Sequence, residues 1–556
     1  MTGKQHPIEK LGVWLCLIFG AVIFSFPFVW MVCSSFKVDR ELFPEKLSVF
    51  PGTPNALPVS PFVDRHYYKK AASRITKPFL DIFTQAIEEK TSGSSNGFAL
   101  PSHVNREEII REISLGLAKK LETMLPPDTW KRGEREIGDL TRKSLNEEVL
   151  GGILENVYRR MLIGNVMIRS NTRVEQILGQ GIPHSRRFKV LTRDTATLIE
   201  EDDRGTPCAL VKYDFAKGDL WKIQMTAETS FPVRDLYRIQ ISFRPDDNWH
   251  RLSCFVEKEG ALYKSVRPIY PANFEWAVIT YQEPGPDDHS NKIRSWINIR
   301  EIDRGAQYLN DPRKIRITLE MKKSSLIHAW WGKICRNYYI TADHIPLWRY
   351  ISTSFYLVIL NVFLSVFSCS LVAYAIARIS WPGRNFNFLL MLATMMIPAQ
   401  VTMIPGFLIW KYLGCYNTLV PLWLGAAFSA PFNVFLLRQF LKGIPRDLEE
   451  AARIDGCRFF QIYWHIMLPL VKPVLIVIGI GAFLGAWNNF VGPLIYIADQ
   501  RLYPLAFGLF AFAVQIANNP SLTMAGSFIM SVPIVLVFFL AQKYFIQGIT
   551  LTGLKG

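Results

Sequence analysis

The residues whose types and spacing could do chemistry are concentrated in one stretch of this 556-residue chain. It runs Ile444-Pro445-Arg446-Asp447-Leu448-Glu449-Glu450-Ala451-Ala452-Arg453-Ile454-Asp455-Gly456 and continues to Ile466-Met467-Leu468-Pro469. What it offers is recognition. Pro445 suits a helix start, three acids suit the positive end of the helix dipole, and Gly456 supplies a left-handed stop. A second short helix is predicted to run on to Pro469. Ala451 and Ala452 carry minimal side chains, so another protein could approach closely. A bend that is small on one side and charged on the other is a docking element. Taken alone, such a segment is more often a solvated amphipathic loop helix.

Other candidates are sparser. Trp487, Asn488 and Asn489 place polar groups inside an apolar run, where amides need partners. They read either as a pore-lining site for sugar hydroxyls or as helix–helix hydrogen bonding. Gln400 and Thr402, after Pro398, are a weaker version of the same signal. Trp221, Trp249, Trp276 and Trp296 could stack on sugar rings, but at strand spacing such residues more often fill a core. His250 and His289 neighbour acids, lack metal-ligand spacing and read as surface residues. No metal site and no catalytic residue is nominated. No G-x-x-x-x-G-K-[ST] loop occurs, so ATP hydrolysis by that route is excluded. Residues 346–446 hold no Asp or Glu, which disfavours an ion-coupled carrier. Gly479, Gly481 and Gly485 lie in an apolar run and suit helix packing better than a dinucleotide.

The elements that must position these residues are apolar runs long enough to span a bilayer. They are roughly Leu11–Cys33, Ile351–Ala377, Phe386–Trp410, Leu419–Phe440, Val474–Ile497 and Ala525–Phe545, which predicts six helices. The first run is too long for a signal peptide and no Ala-x-Ala-like site follows it. Lys and Arg in short loops set orientation. With the N-terminus inside, the inner segments carry Lys4, Lys10, Arg378, Arg384, Arg438, Lys442, Arg446, Arg453, Arg458, Lys472, Lys543 and Lys555, and the outer loops only Lys411 and Arg501. Both termini are therefore expected inside, and the long stretch after the first helix outside. Its first part, Asp64–Asn165, has helical patterning. Its second part reads as seven short strands, Ala209–Phe215, Leu220–Thr226, Tyr237–Phe243, Leu252–Glu257, Phe274–Tyr281, Ile293–Ile299 and Ile315–Glu320. Turn signals at Pro245-Asp246-Asp247-Asn248 and Pro284-Gly285-Pro286-Asp287-Asp288 divide them, which suggests a β-sandwich.

Composition agrees with the split. Residues 346–556 hold 13 Lys and Arg and 5 Asp and Glu, whereas residues 58–345 hold 45 and 38. A single water-soluble enzyme could not cover the apolar runs, and 13% aromatic content excludes intrinsic disorder. The net charge of +16 has no concentrated basic stripe with interleaved aromatics, so nucleic acid is excluded as a partner. Cys208, Cys254 and Cys335 are the cysteines of the soluble block, and their odd number does not read as a disulfide framework; a Cys208–Cys254 bridge stays open.

The spacing Glu450-Ala451-Ala452-x-x-x-Gly456, nine residues, then Ile466-x-Leu468-Pro469 closely resembles the EAA loop of ABC-importer permeases. Other stretches resemble the carbohydrate-importer, MalG-like branch. They are Pro27-Phe28-Val29-Trp30-Met31 with Ser35-Phe36-Lys37, Ala373-Tyr374-Ala375 with Arg378 and Pro382-Gly383-Arg384, and Met396-Ile397-Pro398 with Ile404-Pro405. Phe435-Leu436-Leu437-Arg438-Gln439-Phe440, Trp487-Asn488-Asn489-Phe490 with Pro493-Leu494, and Gln542-Lys543-Tyr544-Phe545 with the terminal Gly553-Leu554-Lys555-Gly556 complete the set. The resemblance covers about residues 8–54 and 337–556. The departure is an outer insertion where the family usually has a short loop.

The resemblance implies an α-helical membrane protein with six transmembrane helices, carrying an inserted extracytoplasmic α+β domain. Residues 1–57 would hold the first span, 58–185 a helical part of the insertion, 186–336 its β-sandwich, and 337–556 a five-helix permease core with a coupling loop at 441–470. It implies a bacterial inner-membrane subunit of an ATP-driven sugar importer. The expected partners are a second permease subunit, two ABC ATPase subunits, an extracytoplasmic sugar-binding protein, the sugar and membrane lipid. ATP and Mg would sit on the partner ATPase, with no cofactor on this chain. By carry-over, Glu450 and Asp455 would contact the ATPase groove and Gly456 would set the turn, with Ala451, Ala452, Arg453, Leu468 and Pro469 completing the coupling loop. Trp487, Asn488, Asn489 and Gln400 form the candidate substrate path. The competing readings are a membrane-anchored carbohydrate receptor or sensor and a membrane-tethered carbohydrate-active enzyme.

Overall fold

The structure is a computed structural model. It describes residues 7–42, 48–54, 56–63, 77–92, 100, 105–125, 130, 133–203, 205–272, 275–284, 296–515 and 519–549. Lys4, Lys555, His289, the Pro286-Asp287-Asp288 turn and the terminal Gly553-Leu554-Lys555-Gly556 lie outside the described residues. The chain divides into two compact units. One comprises Met1–Pro51, Pro286–Arg294 and Asn337–Gly556, the other Gly52–Gly285 and Ser295–Arg336.

In the first unit, four helices among the described residues are long and apolar enough to cross a membrane: Gly12–Ser35, Leu347–Arg378, Val420–Gly443 and Pro520–Gln542. Two further apolar stretches are bent pairs. Arg384–Met396 and Ala399–Tyr412 meet at 101°, and Phe459–Leu470 and Lys472–Trp487 at 79°. The count is six if each bent pair is one span. The first bend has a local cause: Ile397 is extended before Pro398, which disfavours the helical region for its predecessor. The predicted helix Leu419–Phe440 is likewise interrupted, at Ser429 with φ +50, before Pro431 restarts it. The Val474–Ile497 run is also two helices, Lys472–Trp487 and Val491–Tyr496. An apolar helix at Leu505–Gln515 had no counterpart in the predicted runs.

The end of the first span is pinned by polar contacts. Asn337 Nδ2 donates to the carbonyls of Ser35 and Lys37, each at 2.8 Å, and the Ser35 and Tyr338 hydroxyls are 2.6 Å apart. Asp39 Oδ1 accepts from the Ser521 amide at 3.0 Å. These contacts bury the Ser35-Phe36-Lys37 motif.

The second unit begins with four amphipathic helices, Lys77–Ser92, Arg106–Met124, Glu134–Ser144 and Glu147–Val157. Phe83, Ile109, Ile113, Leu117, Leu150 and Ile153 form their common core. Among the described residues, fifteen strands follow or flank them: β1 (Val59–Ser60), β2 (Phe62–Val63), β3 (Tyr158–Arg159), β4 (Leu162–Ser170), β5 (Glu175–Leu178), β6 (Lys189–Val190), β7 (Ala196–Asp203), β8 (Thr206–Asp214), β9 (Leu220–Glu228), β10 (Leu236–Arg244), β11 (Arg251–Lys258), β12 (Ala261–Ser265), β13 (Ala277–Gln282), β14 (Ile297–Arg304) and β15 (Lys314–Lys322). All seven predicted strands have a counterpart. Thirteen strands form one sheet with the path β1-β8-β4-β10-β13-β14-β12-β11-β15-β9-β6, and β5 and β7 pair β4 and β8. Strands from both ends of the path share one core, which holds Val166, Val211 and Ile241 together with Ile223, Val256 and Ile317.

Two expectations are corrected here. The helical part ends at Val157, not at residue 185, because Leu162–Ser170 is a strand paired with β10 and β8. Its apolar run, Met161 to Ile168, fits a buried strand as well as a helix. His250 is not a surface residue but is 1% exposed. Its Nε2 donates to the Leu57 carbonyl at 2.9 Å and its Nδ1 accepts from the Ser324 amide at 3.1 Å. Burial lowers its pKa. Among the four tryptophans, Trp221 and Trp249 are core residues at 0% and 1% exposure, while Trp276 and Trp296 are half-buried. All the cysteines are unpaired, so no Cys208–Cys254 bridge forms.

A buried ionic cluster joins the helical part to the sheet. Asp203 accepts from Arg160 Nη2 at 2.6 Å, Arg244 Nη1 at 2.7 Å and Trp276 Nε1 at 2.6 Å. Arg244 also reaches Glu155 at 3.5 Å, and Arg159 meets Asp247 at 2.7 Å. Burial pushes the Asp203 carboxyl up, but Arg244, Trp276 and Arg160 outweigh it and hold the pKa below the ordinary value. This part of the stability is therefore present above the unfolded pKa, near about 3.9, and is lost as pH falls through the folded value. Asp203→Asn in the full-length protein should cost about 3–5 kcal/mol, because it leaves buried guanidinium groups short of charge. Unfolding in detergent followed by tryptophan fluorescence should register it as a lower midpoint with a shallower acid-side loss; an unchanged midpoint would remove this cluster as the tie.

Candidate functional site

The loop at 444–470 folds as its local signals dictate. The Arg446 carbonyl accepts from the Glu449 and Glu450 amides at 2.9 and 3.1 Å, and a helix runs Asp447–Ile454 with its acids in the first turn. It stops at Gly456, whose φ is +82. The Gly456 amide bonds the Arg453 carbonyl at 3.0 Å and the Cys457 amide bonds the Ala452 carbonyl at 2.9 Å. That pair of bonds is a Schellman closure, and it needs a residue tolerant of positive φ. The chain restarts at Arg458, whose amide is capped by Gln461 Oε1 at 2.8 Å. Phe459–Ile462, a π turn at Tyr463–Met467 and Leu468–Leu470 then lead into Lys472–Trp487. The Tyr463 hydroxyl meets the Ser370 hydroxyl at 2.7 Å.

Helical geometry sorts the coupling residues into two faces. Glu449 and Ala452, three apart, are buried. Glu450, Ala451, Arg453, Asp455 and Gly456 are exposed. Ala451 and Ala452 thus do not make one small face: Ala452 packs among Tyr374, Ala377, Leu437 and Tyr463, and Ala451 points away from that core. The outward surface is also apolar, with Ile454 86%, Phe459 55% and Phe460 63% exposed. Leu468 is half-buried and Pro469 exposed.

The inward face carries a charge that loop spacing did not single out. Glu449 Oε1 lies 3.2 Å from Arg378 Nε, with the two side chains 7% and 5% exposed. Glu449 Oε2 lies 3.9 Å from Arg453. Arg378 Nη2 also donates to the carbonyls of Leu441 and of Ile444, the latter at 2.6 Å.

The four substrate-path candidates are not gathered in one place. Trp487 is 1% exposed, donates from Nε1 to the Met530 carbonyl at 3.0 Å and stacks on Phe483. It is part of helix packing. Asn489 Oδ1 caps the Gly492 amide at 3.0 Å. Gln400 is exposed at the start of helix Ala399–Tyr412. Asn488 alone borders a cleft, of about 310 Å³, whose other lining residues include Phe510, Phe512, Thr523, Ser527 and Met530. Thr523 and Ser527 were not foreseen, since single hydroxyls in an apolar run carry no spacing signal. The cleft can receive a ligand with hydroxyls on apolar walls. Among the described residues, no group of His, Cys, Asp and Glu is arranged to hold a metal ion.

Comparison with known proteins places the permease region. Residues 348–551 match the family described as binding-protein-dependent transport system inner membrane component. The arabinooligosaccharides transport system permease protein AraQ of Halalkalibacterium halodurans is 39% identical over 39% of this chain and 78% of its own length. Its namesake in Bacillus subtilis is 37% identical over 35% of this chain and 68% of its own length. A probable starch degradation products transport system permease protein, AmyC of Thermoanaerobacterium thermosulfurigenes, is 31% identical over 43% and 84%. With relatives of 39% and 37% identity matched over most of their length, this chain belongs to the family of binding-protein-dependent transport system inner membrane components.

Proposed function

We propose that this chain is the permease subunit of an ATP-driven ABC importer for sugars or oligosaccharides. It is a transport subunit rather than an enzyme. The observation that carries the reading is the two-faced helix Asp447–Ile454: its inner face is packed into the chain's own core, and its outer face presents Glu450, Ala451, Ile454 and Asp455 with no partner of its own among the described residues. Exposed apolar side chains rimmed by charge mark a protein interface. Two ATPase subunits, binding ATP and Mg, would dock there and beneath a second permease subunit, and their closure would move the helices between inward- and outward-open states. An extracytoplasmic binding protein would deliver the substrate. The sugar class is supported by relatives named for arabinooligosaccharides and for starch degradation products.

In this reading each bent pair is one span, so six helices cross the bacterial inner membrane with both termini inside. The insertion is extracytoplasmic, its sheet closes on itself as a sandwich, and its helical part runs to Val157. The domain plan is then 1–57, the helical and β parts of 58–336, and the core 337–556 with the coupling loop 441–470. The substrate path runs by the Asn488 cleft; Asn489, Gln400 and Trp487 shape or support it. Excess Lys and Arg on the inner segments support the orientation.

Glu450→Lys should reduce copurification of the ATPase subunit by at least about tenfold, because reversing an interfacial charge of this kind costs about 2–5 kcal/mol. Retention of the ATPase at wild-type level would defeat the docking assignment. Asn488→Leu should lower uptake of radiolabelled arabino-oligosaccharide while leaving the ATPase bound, whereas undiminished uptake would take the cleft off the path. For topology, Asp455→Cys should react with an impermeant maleimide only in inside-out vesicles and Lys217→Cys only in right-side-out ones. The opposite labelling pattern would reverse the orientation.

A further inference from the structure

We propose that Arg378 and Glu449 form the mechanical joint of this subunit, a polar lock that makes the coupling helix move as one body with two membrane helices. The proposal rests on the reading that an ATPase pushes on the outer face of that helix. Arg378 is the last residue of helix Leu347–Arg378. Its one guanidinium reaches two other elements at once, so three are tied together. Nη2 bonds the carbonyls of Leu441 and Ile444, at the end of helix Pro431–Gly443, where backbone acceptors have no intrahelical partner. Nε faces Glu449 of the coupling helix at 3.2 Å, an ionic contact without hydrogen-bond alignment.

Most of the other contact between these elements is apolar; the Ser370–Tyr463 hydroxyl bond at 2.7 Å and the Tyr374 hydroxyl on the Phe459 carbonyl at 3.4 Å do not reach helix Asp447–Ile454. Ala452, Ile462 and Tyr463 lie against Tyr374, Ala377, Leu437 and Leu441. Apolar contact is non-directional, so a pushed helix can roll or slide on it at little cost. A charge pair out of water is directional, because displacing either partner leaves a desolvated ion. The guanidinium fork adds fixed geometry that a point charge lacks. Glu449 and Glu450, adjacent in sequence, therefore do opposite jobs. The second faces outward to receive a partner, and the first holds the receiving helix to the bundle. Arg378 and Glu449 are positioning residues that touch neither sugar nor nucleotide.

The test uses the whole importer in proteoliposomes, and reads sugar moved per ATP hydrolysed. Glu449→Gln keeps shape and removes charge. It should leave ATPase copurification and hydrolysis within about twofold of wild type, and lower sugar moved per ATP by at least about fivefold, within the usual range of coupling between sites. Glu449→Asp should recover part of the loss. An unchanged sugar-to-ATP ratio in Glu449→Gln overturns the proposal, and so does a parallel loss of bound ATPase, which would make the pair merely structural. Should Glu449→Gln fail to assemble, Arg378→Lys decides: it keeps the charge without the fork, and a ratio equal to wild type overturns the joint. Failure of the docking reading is separately visible, since Glu450→Lys would then retain its ATPase.

Discussion

Two acids stand side by side at the start of the coupling helix, and only one can be in water. Successive residues on an α-helix are rotated by about 100°, so a helix laid on a bundle cannot expose both Glu449 and Glu450 equally. A buried carboxylate needs a cation, since desolvation of a lone charge exceeds anything packing supplies. Arg378 is that cation, and it is available because helix Leu347–Arg378 ends at this level. The orientation of the coupling helix, the burial of Ala452 and the outward presentation of Glu450 follow from this pairing. With the helix rotated by one residue, Glu450 would face the bundle and Ala452 would leave its place beside Tyr463.

The inserted unit meets the same constraint with more partners. Asp203 is buried at the end of a strand and is met by Arg160, Arg244 and Trp276 together. These partners come from the linker after the last helix, from the end of β10 and from the start of β13's approach. A single carboxylate thus links segments far apart in the chain, where the Arg378–Glu449 pair links helix ends.

What was legible in the sequence was what local chemistry decides. Pro445, the first-turn acids and Gly456 announce a short helix and its stop, and the Schellman closure at Gly456 follows from a φ that disfavours other residues. The alternation of Leu220–Glu228 and Lys314–Lys322 announces strands with one buried face. What was not legible depends on partners distant in the chain. Nothing near Glu449 says that it faces inward, because Arg378 lies 71 residues earlier. His250 sits beside Asp246 and Asp247 and so has a surface-like neighbourhood, yet the groups that satisfy its ring come from Leu57 and Ser324. The strand Leu162–Ser170 places its apolar residues in adjacent runs, Leu162-Ile163 and Val166-Met167-Ile168, which blurs the alternation that distinguishes a strand from a helix. Pro398 marks a break in an apolar run, but the size of the bend, 101°, is not readable from a proline.

The membrane unit places several polar ties where helices end. Asn337 donates to the carbonyls of Ser35 and Lys37, at the end of the first span, and Arg378 donates to those of Leu441 and Ile444. In each case a side chain from another helix bonds carbonyls at a C-terminus, where intrahelical donors run out. Interior carbonyls are already bonded within the helix, although Trp487 Nε1 also reaches that of Met530. Between the ends, packing is mostly apolar, with single ties such as that bond and the Leu505 amide on the Ser354 hydroxyl.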